Sequence, residues 1–335
     1  MVEIAYVSPF IPPEWIAAHG LMPRRLLPGG QARDAVRPVE AGVCSFAAAF
    51  ANVTTEPSIA GTVFTTTCDA MRRIVESAEG LPSSTAEQAR TRDAGAPFLF
   101  NVPATWQTVS ARQLYYSELQ RLGRWLVGCG GRAPDRERLV AAMCQWDDAR
   151  RAARAARPFL RPRRFAEALI EMHGTGRFAA TDENDLDTTG LPVALVGGPL
   201  RREELWLYDE AAAAGARIVF DALETGERGL APQLDRRLLK DDPLRLLADT
   251  YFGQLPDAFR RPNTRLYDYL KAGFAERGVR AVVLVRRVAC DFWRAEAARI
   301  RECCGLPCVD VDLTGQGDVR LRARTTLQAL GEEFA

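Results

Sequence analysis

A short apolar strand pattern that ends at a cysteine and is followed by a helix pattern recurs along this chain. The clearest copy is Gly61–Arg73, with the sequence GTVFTTTCDAMRR. β-Branched and aromatic residues over Thr62–Thr66 predict a buried strand. Asp69 is a residue type that caps helices well, so a helix is expected to begin directly after Cys68. The unit places a thiol at the carboxyl end of a strand, where open α/β sheets bind their ligands.

Two further copies of this unit surround other cysteines. One lies within residues 281–302 and contains Cys290, and a looser one lies within residues 39–50 and contains Cys44. Because a thiol at such a position faces the positive end of a helix dipole, we expect a lowered pKa and a thiolate that binds metal. Together with Cys68 these thiols would form a cluster ligand set with one coordination position left open. Separate buried cysteines, packed as small apolar side chains, are the alternative.

Strand and helix patterns alternate on both sides of a largely helical middle, which predicts an α/β fold with parallel, doubly wound sheets. At 335 residues the chain is long enough for two lobes, each with its own core. We expect an N-terminal lobe over residues 1–180, with a helical segment over about 108–173, and a C-terminal lobe over residues 190–335. The acidic, polar stretch Phe178–Gly190 is the predicted linker between them.

Charge and hydropathy exclude several classes of partner. A net charge of +1 argues against bulk electrostatic attraction to nucleic acid or to a membrane surface. The N-terminal stretch lacks a basic start and an apolar signal core, and no apolar run approaches the length of a membrane span. We therefore expect a cytoplasmic protein that binds neither nucleic acid nor membrane.

The remaining cysteines give no metal motif. The chain has eight cysteines, which in a cytoplasmic protein do not indicate a disulfide framework, and no CxxC pair that would indicate a zinc ribbon. Cys303 and Cys304 are adjacent on a predicted helix and point apart, while Cys308 enters a predicted strand, so packing is favoured over chelation. Cys129 and Cys144 lie in the helical region and are expected to be structural.

Other motifs that mark active sites are weak or absent. Gly197-Gly198 follows a strand pattern and could place a helix N-terminus against a phosphate, but a plain tight turn is favoured because GxGxxG and GxxxxGK[ST] are absent. The only histidines are His19 and His173, and no GxSxG occurs, which argues against a hydrolase. The seven arginines of Arg150–Arg164 favour a solvated helical face over a phosphate-binding surface.

A set of short motifs, in order along nearly the whole chain, carries a family resemblance. The motifs are Pro13–Arg24 (PEWIAAHGLMPR), Cys44, Thr67–Arg72 (TCDAMR), Val196–Leu200 (VGGPL), Glu224–Arg228 (ETGER), Tyr251–Phe252, Arg265, Cys290–Glu296 (CDFWRAE), Gly305–Pro307 and Asp310–Asp312. In these residues the chain resembles the 2-hydroxyacyl-CoA dehydratase and benzoyl-CoA reductase subunit family, of the iron–sulfur D-component type.

The resemblance implies a fold and a cofactor. It implies two flavodoxin-like (Rossmann-like) lobes with a helical segment between them and a [4Fe–4S] cluster in the cleft between the lobes. The positions that match the family's cluster ligands are Cys44, Cys68 and Cys290, which leaves one iron without a protein ligand. Such an iron can bind a substrate oxygen as a Lewis acid, and the cluster can pass a low-potential electron.

The resemblance also implies a reaction and its partners. The substrate would be a CoA thioester, whose carbonyl becomes a ketyl radical that expels a neighbouring hydroxyl, or whose aromatic ring is reduced. An ATP-hydrolysing iron–sulfur activator protein would supply the electron, and a homologous second subunit or a second copy of this chain would complete the enzyme. The alternatives are a cluster-bearing reductase of another small molecule, of the double-cubane type, and a non-catalytic electron-transfer or scaffold subunit.

One loop of the resemblance offers candidate substrate contacts. Glu14, His19 and Arg24 lie within the matching segment Pro13–Arg24. We expect them either to touch substrate or to serve as helix-capping residues.

Overall fold

Two parallel β-sheets of four strands each, with helices packed against them, make up the architecture. The structure, a computed structural model, describes residues 2–29, 42–53, 56–79, 97–179, 189–287, 289–313 and 318–333. The predicted α/β fold with parallel sheets is confirmed. Within the described residues no helix is long and apolar enough to cross a membrane.

The first sheet is built from the N-terminal third of the chain. Its strands are β1 (Glu3–Tyr6), β2 (Met22–Arg25), β3 (Ile59–Thr65) and β4 (Phe98–Phe100). They lie in the order β2-β1-β3-β4, and every neighbouring pair is parallel.

The second sheet repeats this arrangement later in the chain. Its strands are β5 (Leu191–Gly197), β6 (Ala216–Leu223), β7 (Ala281–Arg286) and β8 (Cys308–Asp312), in the order β6-β5-β7-β8 and all parallel. The central strands β5 and β7 are apolar and buried almost throughout, as expected of parallel strands covered on both faces. Gly197 ends β5 where a Cβ would approach the carbonyl oxygen of Val285 to 2.1 Å, so only glycine fits beside β7.

Helices connect and cover the strands. They are α1 (Pro13–Ala18), α2 (Ser45–Val53), α3 (Asp69–Glu79), α4 (Val109–Gly128), α5 (Arg136–Ala156), α6 (Pro162–Thr175), α7 (Trp206–Ala213), α8 (Pro243–Gln254), α9 (Thr264–Glu276), α10 (Asp291–Cys304) and α11 (Val319–Glu333). Side-chain caps set several starts, because the hydroxyl of Thr108 and the carboxylates of Asp135 and Asp242 accept hydrogen bonds from backbone N–H groups of α4, α5 and α8.

Strand β2 is an element that the sequence patterns do not predict. Its sequence is MPRR, and proline together with two arginines is atypical of a strand. The strand forms at the edge of the sheet, where Pro23 pairs in register with Ile4 of β1 and the missing N–H of proline is tolerated. Of the strand pattern predicted before Cys44, residues 39–41 lie outside the described part of the chain, and Gly42 and Val43 are not in a strand.

Both sheets share the same point of strand-order reversal. β1 lies between β2 and β3, and β5 lies between β6 and β7. In open parallel sheets the crevice outside the carboxyl ends of the strands at this point is where ligands bind. β3 leads to Cys68 and β7 leads to Cys290, so two of the predicted ligands follow strands that flank these crevices.

Hydrophobic contacts cross the predicted division of the chain at residues 180–190. Phe252 of α8 stacks on Tyr115 of α4 with ring centroids 5.1 Å apart, and Phe259 packs edge-on against Phe10 at 5.2 Å. Part of the second half of the chain therefore belongs to the core of the first sheet. The two-lobe division stays a prediction, and residues 180–188 of the predicted linker lie outside the described residues.

Arg25, the last residue of β2, joins the two sheets through its buried guanidinium group. Its Nε donates to the carbonyl oxygen of Val7 at 3.1 Å, while Nη2 donates to the carbonyl oxygen of Glu224 at 3.0 Å. Nη1 lies 2.9 Å from Nε2 of His173 and 3.4 Å from the carbonyl oxygen of Gly229. Burial, reinforced by the charge of Arg25, lowers the pKa of His173 well below its usual range, so the imidazole is neutral and Nε2 accepts.

We expect Arg25→Met to destabilise the protein, because three buried carbonyl oxygens and His173 would lose their donor. The free energy of unfolding should fall by on the order of 3 kcal/mol. Arg24→Met is the matched control, since Arg24 is the preceding residue of β2 but is half-exposed and pairs with Glu3 at 2.7 Å. Its cost should stay below about 1 kcal/mol. Urea unfolding of both variants measures the loss in free energy of unfolding. Equal losses would show that Arg25 contributes no more to stability than Arg24 does.

Candidate functional site

The three cysteines predicted as ligands line one cavity at the carboxyl ends of both sheets. Cys44, Cys68 and Cys290 all contribute to its wall, and its volume is about 90 Å³. Because a single buried water needs at least about 10–15 Å³, this cavity has room for a group of several heavy atoms. The structure therefore brings together three thiols, the outer two of which are 246 residues apart in the 335-residue chain.

Each thiol occupies the residue directly before a helix. Cys44 precedes α2, Cys68 precedes α3 and Cys290 precedes α10. The carbonyl oxygens of these cysteines accept hydrogen bonds from the fourth following backbone N–H, at 3.0, 3.3 and 3.1 Å respectively, as N-cap residues do. The local geometry predicted for these positions, with a thiol at the start of a helix, is present at all three.

The expected lowering of the thiol pKa is wrong for two of the cysteines. Burial raises the pKa of Cys68 to about 12, and the backbone N–H groups of Met71 and Ala70 lower it only in part. Burial likewise raises the pKa of Cys290 to about 11, against the lowering effect of the Trp293 N–H. Helix amides act in the expected direction, but desolvation of a thiolate in this cavity is the larger effect. Both thiols are therefore protonated at neutral pH unless a cation displaces the proton.

Apolar side chains cover much of the cavity wall. They are Val7, Phe46, Met71, Val285, Phe292 and Trp293. Such a wall excludes water and strengthens every electrostatic interaction inside the cavity. It also explains why the thiols lose so much solvation.

A buried cation contributes to the wall beside Cys290. Arg287 is 5% exposed; its Nη1 donates to the carbonyl oxygen of Pro199 at 2.7 Å, and its Nη2 pairs with Glu204. The charge of Arg287 lowers the pKa of Cys290, although less than burial raises it. The guanidinium therefore favours a thiolate at this position.

Two carboxyl groups face the same cavity. Asp257 is held by Arg228, whose Nη1 donates to Oδ2 at 2.7 Å, and by the N–H of Phe259, which donates to Oδ1 at 3.0 Å. Glu224 has no hydrogen bond to its carboxyl group among the described residues. Burial, and to a lesser degree the charge of Asp257, raises the pKa of Glu224 to about 7. Glu224 can therefore carry or release a proton near neutral pH.

Arg228 fixes the position of this side of the cavity. The guanidinium group is 1% exposed and donates to the carbonyl oxygens of Gly197 and Ala222 as well as to Asp257. Its central carbon lies 4.8 Å from the ring centre of Trp293. The ends of β5 and β6 and the start of α10 are thus held around one buried charge.

Glu14 lies away from the cysteine cavity, in a buried ion pair. Its Oε1 accepts from Nη1 of Arg150 at 2.5 Å, and its Oε2 accepts from the hydroxyl of Tyr251 at 2.8 Å. Both Glu14 and Arg150 are essentially inaccessible to solvent. The contacts give Glu14 a structural role, which links α1 to α5 and α8.

His19 and Arg24 also have partners within the fold. Nδ1 of His19 is 2.7 Å from the carbonyl oxygen of Trp15, and burial lowers the pKa of this imidazole. Arg24 is half-exposed and pairs with Glu3. Neither residue lines the cysteine cavity, and the same holds for Glu14. Contact of a substrate with any of the three stays a prediction.

The other cysteines do not contribute to the cavity. Cys303, Cys304 and Cys308 lie at the end of α10 and the start of β8, where Cys304 packs against the carbonyl oxygens of Arg301 and Leu306. Among the residues that the structure describes, no three His, Cys, Asp or Glu side chains lie close enough together to surround a single metal ion.

Sequence patterns missed the charged part of the cavity. Glu224 and Arg228 lie in the ETGER motif and Asp257 in a loop, and nothing local marks them as neighbours of the cysteines. Arg287 comes three residues before Cys290, so proximity along the chain was the one available signal.

Comparison with known proteins gives one match that bears on function. A family model described as 2-hydroxyglutaryl-CoA dehydratase, D-component, matches residues 9–334. No curated protein matches the chain.

Solved structures resemble the chain only distantly. The laminin-binding protein Lbp of Streptococcus pyogenes is 9% identical over 100% of both chains, with a TM-score of 0.23. The SBP FpvC of Pseudomonas aeruginosa in complex with Ni²⁺ is 13% identical over 100% of this chain and 98% of that one, with a TM-score of 0.24. Likeness at this level supports no conclusion about fold or function.

Proposed function

The chain belongs to the family of 2-hydroxyglutaryl-CoA dehydratase D-components, and from this premise we propose that it is the iron–sulfur subunit of a 2-hydroxyacyl-CoA dehydratase-like or benzoyl-CoA reductase-like enzyme. The observation that carries the proposal is the convergence of Cys44, Cys68 and Cys290 in one cavity at the carboxyl ends of both sheets. The proposed substrate is a CoA thioester, and the proposed cofactor is a [4Fe–4S] cluster in the cleft between the sheets.

The residues of the cavity fit such a cluster. Thiols are the donors that iron–sulfur clusters prefer, and here they come from three separate elements around a space for several heavy atoms. Each ligand of a four-iron cluster binds a different iron, so the thiols need not surround a single ion. Three thiols leave one iron without a protein ligand.

Thiolate formation is the first task of the chain's own residues. The N–H of Met71 at Cys68 and the N–H of Trp293 at Cys290 stabilise negative sulfur. Arg287 adds a fixed positive charge beside Cys290. Because burial keeps Cys68 and Cys290 protonated without metal, cluster insertion would release protons and hold the two sheet edges together.

When bound, a cluster with an open iron supplies a Lewis-acidic site and a low-potential electron. Glu224 is the group of the cavity suited to hold a proton that a departing hydroxyl needs, since its carboxyl group lacks a hydrogen-bond partner among the described residues. Phe46, Phe292 and Trp293 would shield the reacting carbon from water.

The partners follow from this proposal. The electron would come from an ATP-hydrolysing iron–sulfur activator protein, and a homologous second subunit or a second copy of this chain would complete the enzyme. The family match over nearly the whole chain supports both proposals.

We expect anaerobically reconstituted protein to contain about four iron and four acid-labile sulfide atoms per chain. Cys44→Ser, Cys68→Ser and Cys290→Ser should each lose most of this iron, because each variant removes one of three anchors. Cys303→Ser is the matched control, on the helix that begins directly after Cys290, and should keep its iron. Iron loss in Cys303→Ser, together with iron retention in Cys44→Ser, would reject this ligand set.

A CoA thioester should perturb the paramagnetic resonance or Mössbauer signal of the reduced cluster, because an iron without a thiol ligand would be free to bind the acyl oxygen. Free CoA lacks that oxygen and should leave the signal nearly unchanged. Unaltered spectra with every CoA thioester tried, in protein with full iron content, would favour an electron-relay subunit over a catalytic one.

A further inference from the structure

A second cavity lies beside the cysteine cavity and shares two arginines with it. Its volume is about 300 Å³, and its wall is formed by Arg286, Arg287, Arg294 and Asp312. Arg286 and Arg287 also line the cavity of the three thiols. The two cavities are therefore neighbours at the carboxyl end of β7, and we call the second one the arginine cavity.

Arg287 is held in place but not saturated with acceptors. The side chain is 95% buried, and two of its nitrogens are engaged by the carbonyl oxygen of Pro199 and by Glu204. Its Nε is buried and has no hydrogen-bond partner among the described residues. A buried donor without an acceptor is costly, and a bound anion would relieve that cost.

Arg286 also has a buried donor to which the described residues offer no acceptor. Its Nη2 pairs with Asp310 at 3.0 Å, while its Nε is buried and makes no hydrogen bond within the part of the chain that the structure describes. Arg294, in the first turn of α10, is exposed and has no carboxylate partner among the described residues. Donors on all three guanidinium groups therefore remain available.

The charge of the wall favours an anion. Among the described residues of the wall, three guanidinium groups face one carboxylate, that of Asp312, and the ion-pair partners Glu204 and Asp310 do not line the cavity. Guanidinium groups bind phosphate oxygens in pairs of parallel hydrogen bonds, which makes arginine the preferred residue for phosphate esters.

We propose that Arg286, Arg287 and Arg294 bind the phosphate groups of the CoA thioester, an assignment that rests on the proposed function. The reacting thioester of such a substrate is at the far end of a long neutral arm from its phosphates. A polar, cationic cavity and an apolar, thiol-lined one suit the anionic and the reactive end of this ligand, and because the two cavities are neighbours the arm between the two ends must fold back. The arginine cavity then determines the affinity for the substrate, while the reaction takes place in the cysteine cavity.

Titration calorimetry on anaerobic, cluster-loaded protein tests the assignment with three ligands: CoA, inorganic pyrophosphate and an acyl-pantetheine thioester without phosphates. Arg294→Gln should weaken CoA and pyrophosphate about tenfold, the effect of one lost charge-assisted hydrogen bond. The affinity for the acyl-pantetheine thioester should not change. Arg299→Gln is the matched control, an exposed arginine on the same helix that does not line the cavity.

Asp312→Asn gives a test of opposite sign. Removing the carboxylate from the wall should strengthen CoA and pyrophosphate binding severalfold. This variant keeps all three arginines, so tighter binding cannot result from damage to the fold.

Equal CoA affinity in wild type, Arg294→Gln and Asp312→Asn would overturn the assignment. Pyrophosphate binding that depends on Arg294, combined with CoA binding that does not, would also overturn it, because the cavity would then serve a smaller phosphate ligand. CoA binding that depends on Arg294 supports it even if no CoA thioester alters the cluster spectrum. Arg294-dependent CoA binding with an unaltered cluster spectrum would count against the proposed chemistry but not against the phosphate site.

Discussion

A buried guanidinium group that takes its acceptors from both halves of the chain is the constraint on which the rest of this structure depends. Arg25 belongs to the first sheet, yet its donors reach the carbonyl oxygens of Glu224 and Gly229, which follow β6 of the second sheet. Because an unpaired buried donor is costly, these contacts fix how the carboxyl edges of the two sheets face each other. Neutral His173 completes the set, and its own burial keeps it able to accept.

Once the two edges are fixed, residues that are distant in sequence lie close together. Cys44 and Cys68 come from the first sheet, and Cys290 with Arg287 comes from the second. The cavity between them is apolar enough to raise the pKa of Cys68 and Cys290, so in the proposed function the cofactor rather than local electrostatics would have to produce the thiolates. The charge state of these two residues would then change when the proposed cofactor binds.

Local patterns predicted the parts of the molecule that local physics determines. The β-branched runs of β3 and β7 and the cysteines that follow them were identified from sequence, because strand propensity and helix starts act over a few residues. β2 was missed because its proline and arginines are tolerated only at the edge that the tertiary fold provides. The pKa of Cys68 and Cys290 was predicted in the wrong direction for the same reason, since desolvation depends on packing partners from the whole chain. Glu224 and Asp257 join the cavity only through long-range contacts.

The location of iron in the folded protein tests the central claim most directly. Crystals of anaerobically reconstituted protein, measured on both sides of the iron absorption edge, reveal iron by its anomalous scattering. We expect the anomalous density of one four-iron cluster in the cavity lined by Cys44, Cys68 and Cys290, with each of the three sulfurs within bonding distance of a different iron. A peak beside Cys303, Cys304 and Cys308, or iron bound anywhere outside that cavity, would contradict it.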